Sequence, residues 1–82
     1  MKFNLYSFRD VKTSFGQPFC EQSDEAAKRG FSFAVNNPEG IMNFAPTDFE
    51  LYRIGTFNAV SGQLEPEQVP VFIVNGSSVF GG

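Results

Sequence analysis

The stretch Ser23–Pro38, "SDEAAKRGFSFAVNNP", predicts one amphipathic helix and so decides the fold. Ser23 suits the N-cap, because its hydroxyl can accept a hydrogen bond from an otherwise unpaired backbone N–H of the first turn. Two acidic residues follow, where the helix dipole favours negative charge. Apolar residues recur at helical spacing, and they are Ala27, Phe31, Ala34 and Val35. The residue before a proline avoids the α region, so we expect the helix to end at Asn36-Asn37-Pro38.

Three further residues of the helix lie beside this stripe and are expected to widen its apolar face: Ala26, Gly30 and Phe33. A glycine inside a helix costs about 1 kcal/mol relative to alanine. A close approach of the helix to a sheet would explain Gly30, and we predict one there.

Strand-like segments lie on both sides of the helix. Lys2–Asp10 is rich in aromatic residues and partly alternating, which indicates a first strand. Residues 11–19 predict either a loop or a short strand paired with the first. Asp48–Phe57 predicts a strand of about ten residues, and the β-branched run Val71–Gly76 predicts a central strand.

The connections carry their own signals. Residues 58–63 predict a hairpin loop in which Gly62 takes a positive φ. The two prolines of residues 65–70 indicate an edge or irregular segment, since proline donates no ladder hydrogen bond. We expect Ile41, Met42 and Phe44 to pack beneath their loop, and we expect the small-residue tail 77–82 to be mobile.

The order β, possible β, α, β, β predicts an α+β fold, in which one helix packs on a small, mainly antiparallel sheet of three to four strands. The 82 residues suffice for a single domain over 1–82. Eleven phenylalanines are many for this length. Each aromatic side chain buries about 150–250 Å², so some are expected to remain for a dimer contact or a ligand.

The composition argues against an enzyme. The chain has no histidine, which removes the commonest general base and metal ligand. Cys20 is the only cysteine, so no internal disulfide can form, which fits a protein of a reducing compartment. A single thiol also cannot form a zinc site. We interpret Asp48 and Glu50 as a solvated acidic face. A phosphate-binding loop with its lysine is absent, and no cofactor is expected.

The charge is unevenly distributed. The formal net charge of −3 argues against a protein that coats nucleic acid through bulk positive charge. Residues 1–12 are basic on balance, whereas residues 39–67 are acidic. No apolar run approaches the roughly 20 residues of a membrane span, and the first residues lack the apolar region of a signal peptide. We therefore expect a soluble cytoplasmic protein.

Interleaved aromatic and basic residues make single-stranded nucleic acid a candidate ligand, because such proteins combine stacking platforms with a basic groove. The candidate binding residues are Lys2, Tyr6, Phe8, Arg9, Lys12, Tyr52 and Arg53. The alternative is that the aromatic residues belong to the core or to a dimer contact, while the basic residues keep a sheet edge soluble.

Arg53 shares an alternating row with Phe49, Leu51 and Phe57. A buried, unpaired arginine is too costly to keep. We predict that Arg53 either pairs with a carboxylate such as Asp48 or lies on a face that meets DNA or a second subunit.

Four segments carry a family resemblance: "SDEAAKRGF", "NNP", "PTDFELYRIGTFNAVSGQL" and "VPVFIVNG". In this order and spacing they resemble the small nonstructural proteins of gokushoviruses, which are single-stranded-DNA phages of the Microviridae. The resemblance extends over nearly the whole chain. Its matching positions are Glu25, Ala26, Ala27, Arg29, Phe31, Asn37, Pro38, Pro46, Asp48, Leu51, Tyr52, Ile54, Gly55, Phe57, Gly62, Leu64, Pro70, Val74 and Gly76. Residues 58–61 depart from the acidic turn that is common in that family.

The resemblance implies a non-enzymatic protein that binds single-stranded DNA in the host bacterial cytoplasm and acts in viral genome synthesis or packaging. We expect a homo-oligomer, a dimer in the first instance, which would pool the few cations. The alternative is a protein–protein adaptor that contacts the phage replication initiator or the procapsid, with little direct DNA binding. A weaker third hypothesis, suggested only by the negative charge, is an inhibitor of a host enzyme.

Overall fold

A computed structural model describes residues 1–81 as one helix packed on a four-stranded antiparallel sheet. The elements in chain order are β1 (Lys2–Asp10), β2 (Phe19–Glu21), α1 (Asp24–Val35), α2 (Ile41–Phe44), a 3-10 turn (Pro46–Asp48), β3 (Phe49–Asn58), β4 (Leu64–Asn75) and α3 (Gly76–Val79). The strand order is β2-β1-β3-β4, and all neighbours are antiparallel. The predicted α+β fold is confirmed. Over these described residues, no helix has the length and apolarity needed to cross a membrane.

Helix α1 begins and ends where local chemistry predicts. The Ser23 hydroxyl accepts a hydrogen bond from the backbone N–H of Ala26, at 3.2 Å. At the other end the backbone N–H of Asn36 still donates to the Ser32 carbonyl, at 2.9 Å, and Pro38 follows soon after. The N-cap and the terminating proline are therefore both confirmed.

The core lies between α1 and one face of the sheet. Its buried apolar residues are Tyr6, Ala27, Phe31, Val35, Phe49 and Leu51. Three of the four predicted stripe positions are among them, and the fourth, Ala34, is half-buried. Partly buried residues close the margins, and they include Phe8, Phe19, Met42, Ile73, Val74 and Val79.

Strands β1 and β3 form the centre of the sheet. Their pairing runs from Lys2 opposite Asn58 to Asp10 opposite Phe49, with an irregularity between Leu5 and Tyr6. Residues 59–63 join β3 to β4 as a hairpin, and Gly62 has φ +78°, as predicted.

The prediction of a central strand at residues 71–76 is wrong. Those residues fall mostly within β4, which pairs only with β3 and forms one edge of the sheet. Pro66 and Pro70 lie in the same strand, and an edge strand tolerates proline because one of its sides needs no donor. The edge assignment made for residues 65–70 is thus correct for the whole strand.

The predicted close approach at Gly30 is also wrong, because a Cβ at Gly30 would meet no atom of this chain within 4 Å. The close approach lies at Gly55 instead, where a Cβ would come within 2.5 Å of the Glu65 carbonyl oxygen. Glycine is therefore required where the β4 backbone lies close beside β3, not where α1 packs on the sheet.

Three residues that were expected to be covered are exposed. The exposed fractions are 80% for Phe33, 69% for Ile41 and 89% for Phe44. Only Met42 of the loop residues packs against the core. Helix α2 is a single turn that presents Met42 and Asn43 inward, where the Asn43 side chain donates to the Val35 carbonyl at 3.1 Å, so Ile41 and Phe44 face outward.

The C-terminal segment forms the turn α3, which the sequence did not predict. The Asn75 side chain accepts a hydrogen bond from the Ser77 N–H at 2.8 Å, and the Asn36 side chain contacts the Val79 carbonyl at 2.9 Å and the Gly81 N–H at 2.6 Å. The two bonds of Asn36 join the segment to the end of α1. The mobility expected for the tail stays a prediction, and Gly82 lies outside the described residues.

Candidate functional site

Among residues 1–81, the helices pack on one face of the sheet, and the other face is covered only in part, by the loop after β1. Side chains alternate along a strand, so Ser7 and Arg9 of β1 point away from α1, and Leu5, beyond the irregularity in β1, lines an apolar hollow on this face. Their neighbours on the same face are Tyr52 of β3 and Phe72 of β4, and Ile54 of β3 shares the hollow with Leu5. We call this surface the open face.

Three aromatic rings meet on the open face and form what we call the aromatic cluster: Phe15, Tyr52 and Phe72. The Tyr52 ring centroid lies 5.2 Å from that of Phe15 and 5.7 Å from that of Phe72, both in edge-to-face geometry. Phe15 is 41% exposed and Phe72 is 52% exposed. The rings of Phe15 and Phe72 are therefore accessible to a ligand, and the Tyr52 ring lies between them and contacts both.

Arg9 lies against this cluster. Its guanidinium carbon is 5.4 Å from the Phe15 ring centroid and 5.8 Å from that of Tyr52, within the range of a cation–π contact. Its Nη1 donates to the Tyr52 hydroxyl at 3.3 Å, and that hydroxyl donates to Glu50 Oε1 at 3.0 Å. The same Glu50 oxygen is 3.7 Å from Arg9 Nη1. The site thus combines an aromatic surface with a partly exposed cation, held by its hydrogen bond, and one carboxylate.

A hairpin at the end of β1 positions Phe15. The chain turns after Asp10 and returns so that Phe15 pairs with Arg9. The Ser7 hydroxyl is buried and donates to the Gly16 carbonyl at 2.9 Å. Lys12 lies in the turn, where its backbone N–H donates to Asp10 Oδ1 at 2.9 Å. For residues 11–19 the sequence predicted either a loop or a short strand paired with β1. The structure contains a loop with one bridge to β1, at Phe15, and the strand β2 begins at Phe19.

An apolar hollow adjoins the aromatic cluster on the open face. Its volume is ≈ 360 Å³, and its lining residues are Leu5, Pro18, Ile54, Leu64 and Pro66. The open face is therefore apolar over much of its length, with its polar groups concentrated around Arg9.

The predicted site residues do not all reach this face. Tyr6 is fully buried, and Phe8 packs in the core with its ring centroid 5.1 Å from that of Phe31. Neither ring can stack on a base from where it lies. Lys2 lies at the far end of β1 and is exposed, with its Nζ 3.5 Å from a Glu65 oxygen. Of the seven predicted residues, the structure brings together Arg9 and Tyr52, with Lys12 in the adjoining turn.

Arg53 belongs to an ion-pair network on the α1 side. Its Nη1 donates to Asp24 Oδ2 at 2.8 Å, and its Nε donates to Glu67 Oε2 at 3.1 Å. The Tyr6 hydroxyl donates to Asp24 Oδ1 at 2.6 Å. The prediction that Arg53 pairs with a carboxylate is therefore confirmed, but its partners are Asp24 and Glu67 rather than Asp48.

The network shifts the pKa values of its members. Burial, followed by the hydrogen bond to Asp24, raises the pKa of Tyr6 to about 12. The Tyr6 hydrogen bond, with help from Arg53, lowers the pKa of Asp24. The bonds to Glu67 and Asp24 raise the pKa of Arg53. Each group is thus fixed in the protonation state that holds the start of α1 against β1 and β3.

The sequence analysis did not identify two residues of the aromatic cluster, Phe15 and Phe72, as candidate binding residues. Phe15 lies in a segment interrupted by Gly16 and Pro18, and Phe72 lies in a run of apolar residues that read as core. Alternation carried a usable signal, since Phe72 faces away from its neighbours Val71 and Ile73.

Among residues 1–81, no three or more histidine, cysteine, aspartate or glutamate residues are grouped so as to hold an ion. Cys20 is free and exposed on β2.

Comparison with known proteins gives one family. The family model of the phage ORF5 protein matches residues 3–79, which include every strand and helix described above apart from the first residue of β1. No curated protein and no solved structure matches the chain. Because the match covers nearly the whole sequence, the chain belongs to the phage ORF5 protein family.

Proposed function

We propose that this phage protein is a non-enzymatic binder of single-stranded DNA, and that the strand lies on the open face. The observation that carries the proposal is Arg9 held against the aromatic cluster, on the face opposite α1, with Phe15 and Phe72 accessible. The resemblance to gokushovirus nonstructural proteins supports a role in viral genome synthesis or packaging, in the host cytoplasm.

The aromatic cluster supplies the stacking surface. Base stacking on an aromatic side chain is worth about 1–3 kcal/mol per base and tolerates any sequence, since every base has a π-face. Phe15 and Phe72 are exposed on either side of Tyr52. Each of these two exposed rings can therefore stack with one base.

Arg9 supplies the charge for a phosphate. Its guanidinium is oriented by the Tyr52 hydroxyl, which reduces the ordering cost of binding. Glu50 competes with a phosphate for Arg9, so the affinity of a single chain is expected to be modest. The net charge of −3 points the same way.

The test is a fluorescence-anisotropy titration of a labelled oligo-dT at low salt. Phe72→Ala removes one stacking ring and should weaken binding roughly 5- to 150-fold, from about 1–3 kcal/mol. Val60→Ala removes an apolar side chain that is 83% exposed in the β3–β4 hairpin, and it should leave binding unchanged. Undetectable binding by the wild type, or equal binding by both variants and the wild type, would refute the proposal.

The apolar hollow favours a second candidate, an adaptor that binds a phage protein such as the replication initiator or the procapsid. Its lining is almost entirely apolar, which suits a protein side chain better than a phosphate backbone. Leu64→Ala should then abolish capture of the replication protein in a pull-down without altering oligo-dT binding. If both activities fall together in Leu64→Ala, the two ligands share the face.

A further inference from the structure

The outer side of α1 carries an apolar ridge at Phe33 that none of the described residues 1–81 covers. Phe33 is 80% exposed and stands between two shallow grooves. One groove, which we call the Gly30 groove, has a volume of ≈ 420 Å³ and is lined by Glu21, Ala26, Arg29, Gly30 and Phe33. The other lies towards the end of the helix, beside Asn36 and Pro38. A bulky ring is thus placed directly beside a hollow with a small-residue floor.

Packing within the chain does not explain Gly30. Glycine in a helix costs about 1 kcal/mol relative to alanine, and a methyl group here would meet no atom of the chain within 4 Å. Gly55, by contrast, is required by the nearby β4 backbone. A neighbour that packs against α1 from outside would account for the missing side chain at Gly30.

We propose that a second copy of this chain packs on this surface, with the two α1 helices antiparallel about a two-fold axis near Gly30. In such a contact each surface patch meets its own copy, so the patch must complement itself. A residue three positions after the crossing point then faces a residue about three positions before it. Phe33 of each copy is thereby placed over Ala26 in the Gly30 groove of the other.

The charges of the groove are self-complementary as well. Glu21 and Arg29 line the same groove with opposite charges. Arg29 takes part in none of the ion pairs formed by residues 1–81. In the two-fold contact, Arg29 of one copy can pair with Glu21 of the other, twice per dimer. This pairing selects a copy of the chain over an unrelated apolar partner.

The dimer goes beyond the proposed DNA binding and does not depend on it. Helix α1 lies on the opposite side of the sheet from the aromatic cluster, so both open faces remain free. A dimer would present two aromatic clusters, each with its Arg9, to one DNA strand, which raises the apparent affinity through effective concentration.

Sedimentation equilibrium over a range of protein concentrations tests the interface. Phe33→Ala should weaken self-association at least tenfold. The matched control is Phe44→Ala, which removes the same side chain from an equally exposed position on α2, outside the groove, and should change it less than about twofold. A wild type that stays monomeric at every concentration, or an equal response of the two variants, overturns the proposal.

A charge exchange tests the pairing itself. Glu21→Arg and Arg29→Glu should each weaken the dimer, and the double variant should restore it. Loss of dimer in the double variant to the same extent as in the singles overturns the predicted pairing. Arg9→Ala should leave the dimer intact while reducing oligo-dT binding, so failure of the dimer and failure of the DNA proposal can be told apart.

Discussion

At the scale of single residues, Glu50 sets the strength of the proposed site. Its carboxylate is 3.7 Å from Arg9 Nη1 and accepts the Tyr52 hydroxyl at 3.0 Å. It is the group that a DNA phosphate must displace, and its own charge repels the strand. Substitution of Glu50, the one acidic residue of the site, is therefore the most informative change.

Glu50→Gln should tighten oligo-dT binding several-fold, because it removes the repulsion and frees Arg9 while keeping an acceptor for Tyr52. Anisotropy titration at low salt measures the change, and Glu39→Gln, at an exposed acid outside the sheet, is the control. Weaker binding of oligo-dT by Glu50→Gln would contradict the proposed competition between Glu50 and a phosphate for Arg9.

Tyr6 predicts how stability responds to alkali. Its pKa is raised by burial to about 12 in the folded chain, whereas an unfolded tyrosine titrates near ~10. The contribution of the neutral hydroxyl is complete below about pH 10 and is lost as the pH rises towards 12. Urea unfolding across this range should show falling stability in the wild type and a shallower fall in Tyr6→Phe. Equal slopes would contradict the buried hydrogen bond.

Asp24 predicts the response to acid. Its hydrogen bond from Tyr6 and its pairing with Arg53 lower its pKa in the folded chain. Its contribution is therefore present above an unfolded pKa of about 3.9 and is lost as the pH falls through the lower folded value. The wild type should lose stability below about pH 4 more steeply than Asp24→Asn, as followed by circular dichroism. A variant with the wild-type acid profile would show that the pair adds nothing.

At the scale of elements, the close pairing of β3 with β4 depends on Gly55. A Cβ there would lie 2.5 Å from the Glu65 oxygen and 3.0 Å from Pro66 Cα, and both are backbone atoms that cannot rotate away. Gly55→Ala should destabilise the fold by about 1–3 kcal/mol.

Gly30→Ala is the matched control, because open space surrounds that position within the chain. It should stabilise the monomer by about 1 kcal/mol, as the helix propensities require. Urea midpoints measured where the chain is monomeric decide between the two. Similar midpoints for both variants would contradict the close strand approach.

The elements that local chemistry determines were predictable, and those that depend on tertiary order were not. Ser23 and Pro38 bound α1 through capping and proline geometry, which act over a few residues. The position of β4 at an edge depends on which strands pair with it, and a run such as Val71–Asn75 does not encode that. The same reason explains why Tyr6 looked like a binding residue while Phe72 looked like core.

The site was predictable only in part. Arg9 and Tyr52 were identified because aromatic and basic residues interleave along their strands. Arg53 was identified as unusual, but its partners, Asp24 and Glu67, come from α1 and β4, and no local pattern brings those elements together.

At the scale of the whole molecule, the fold separates two surfaces. Helix α1 covers one side of the sheet and carries the Phe33 ridge on its own outer side. The open face carries the aromatic cluster on the other side. An acidic chain of 82 residues can contact DNA through such a small basic site if several copies act together, and the two surfaces allow it.

The most direct measurement of the central claim uses tyrosine fluorescence, because the chain has two tyrosines and no tryptophan. In Tyr6→Phe the remaining emitter is Tyr52, at the centre of the aromatic cluster. Titration with oligo-dT should quench this emission, and added salt should reverse the quenching as the phosphate contacts are lost. Binding detected by anisotropy without any change in Tyr52 emission, or no binding at all, would contradict the account.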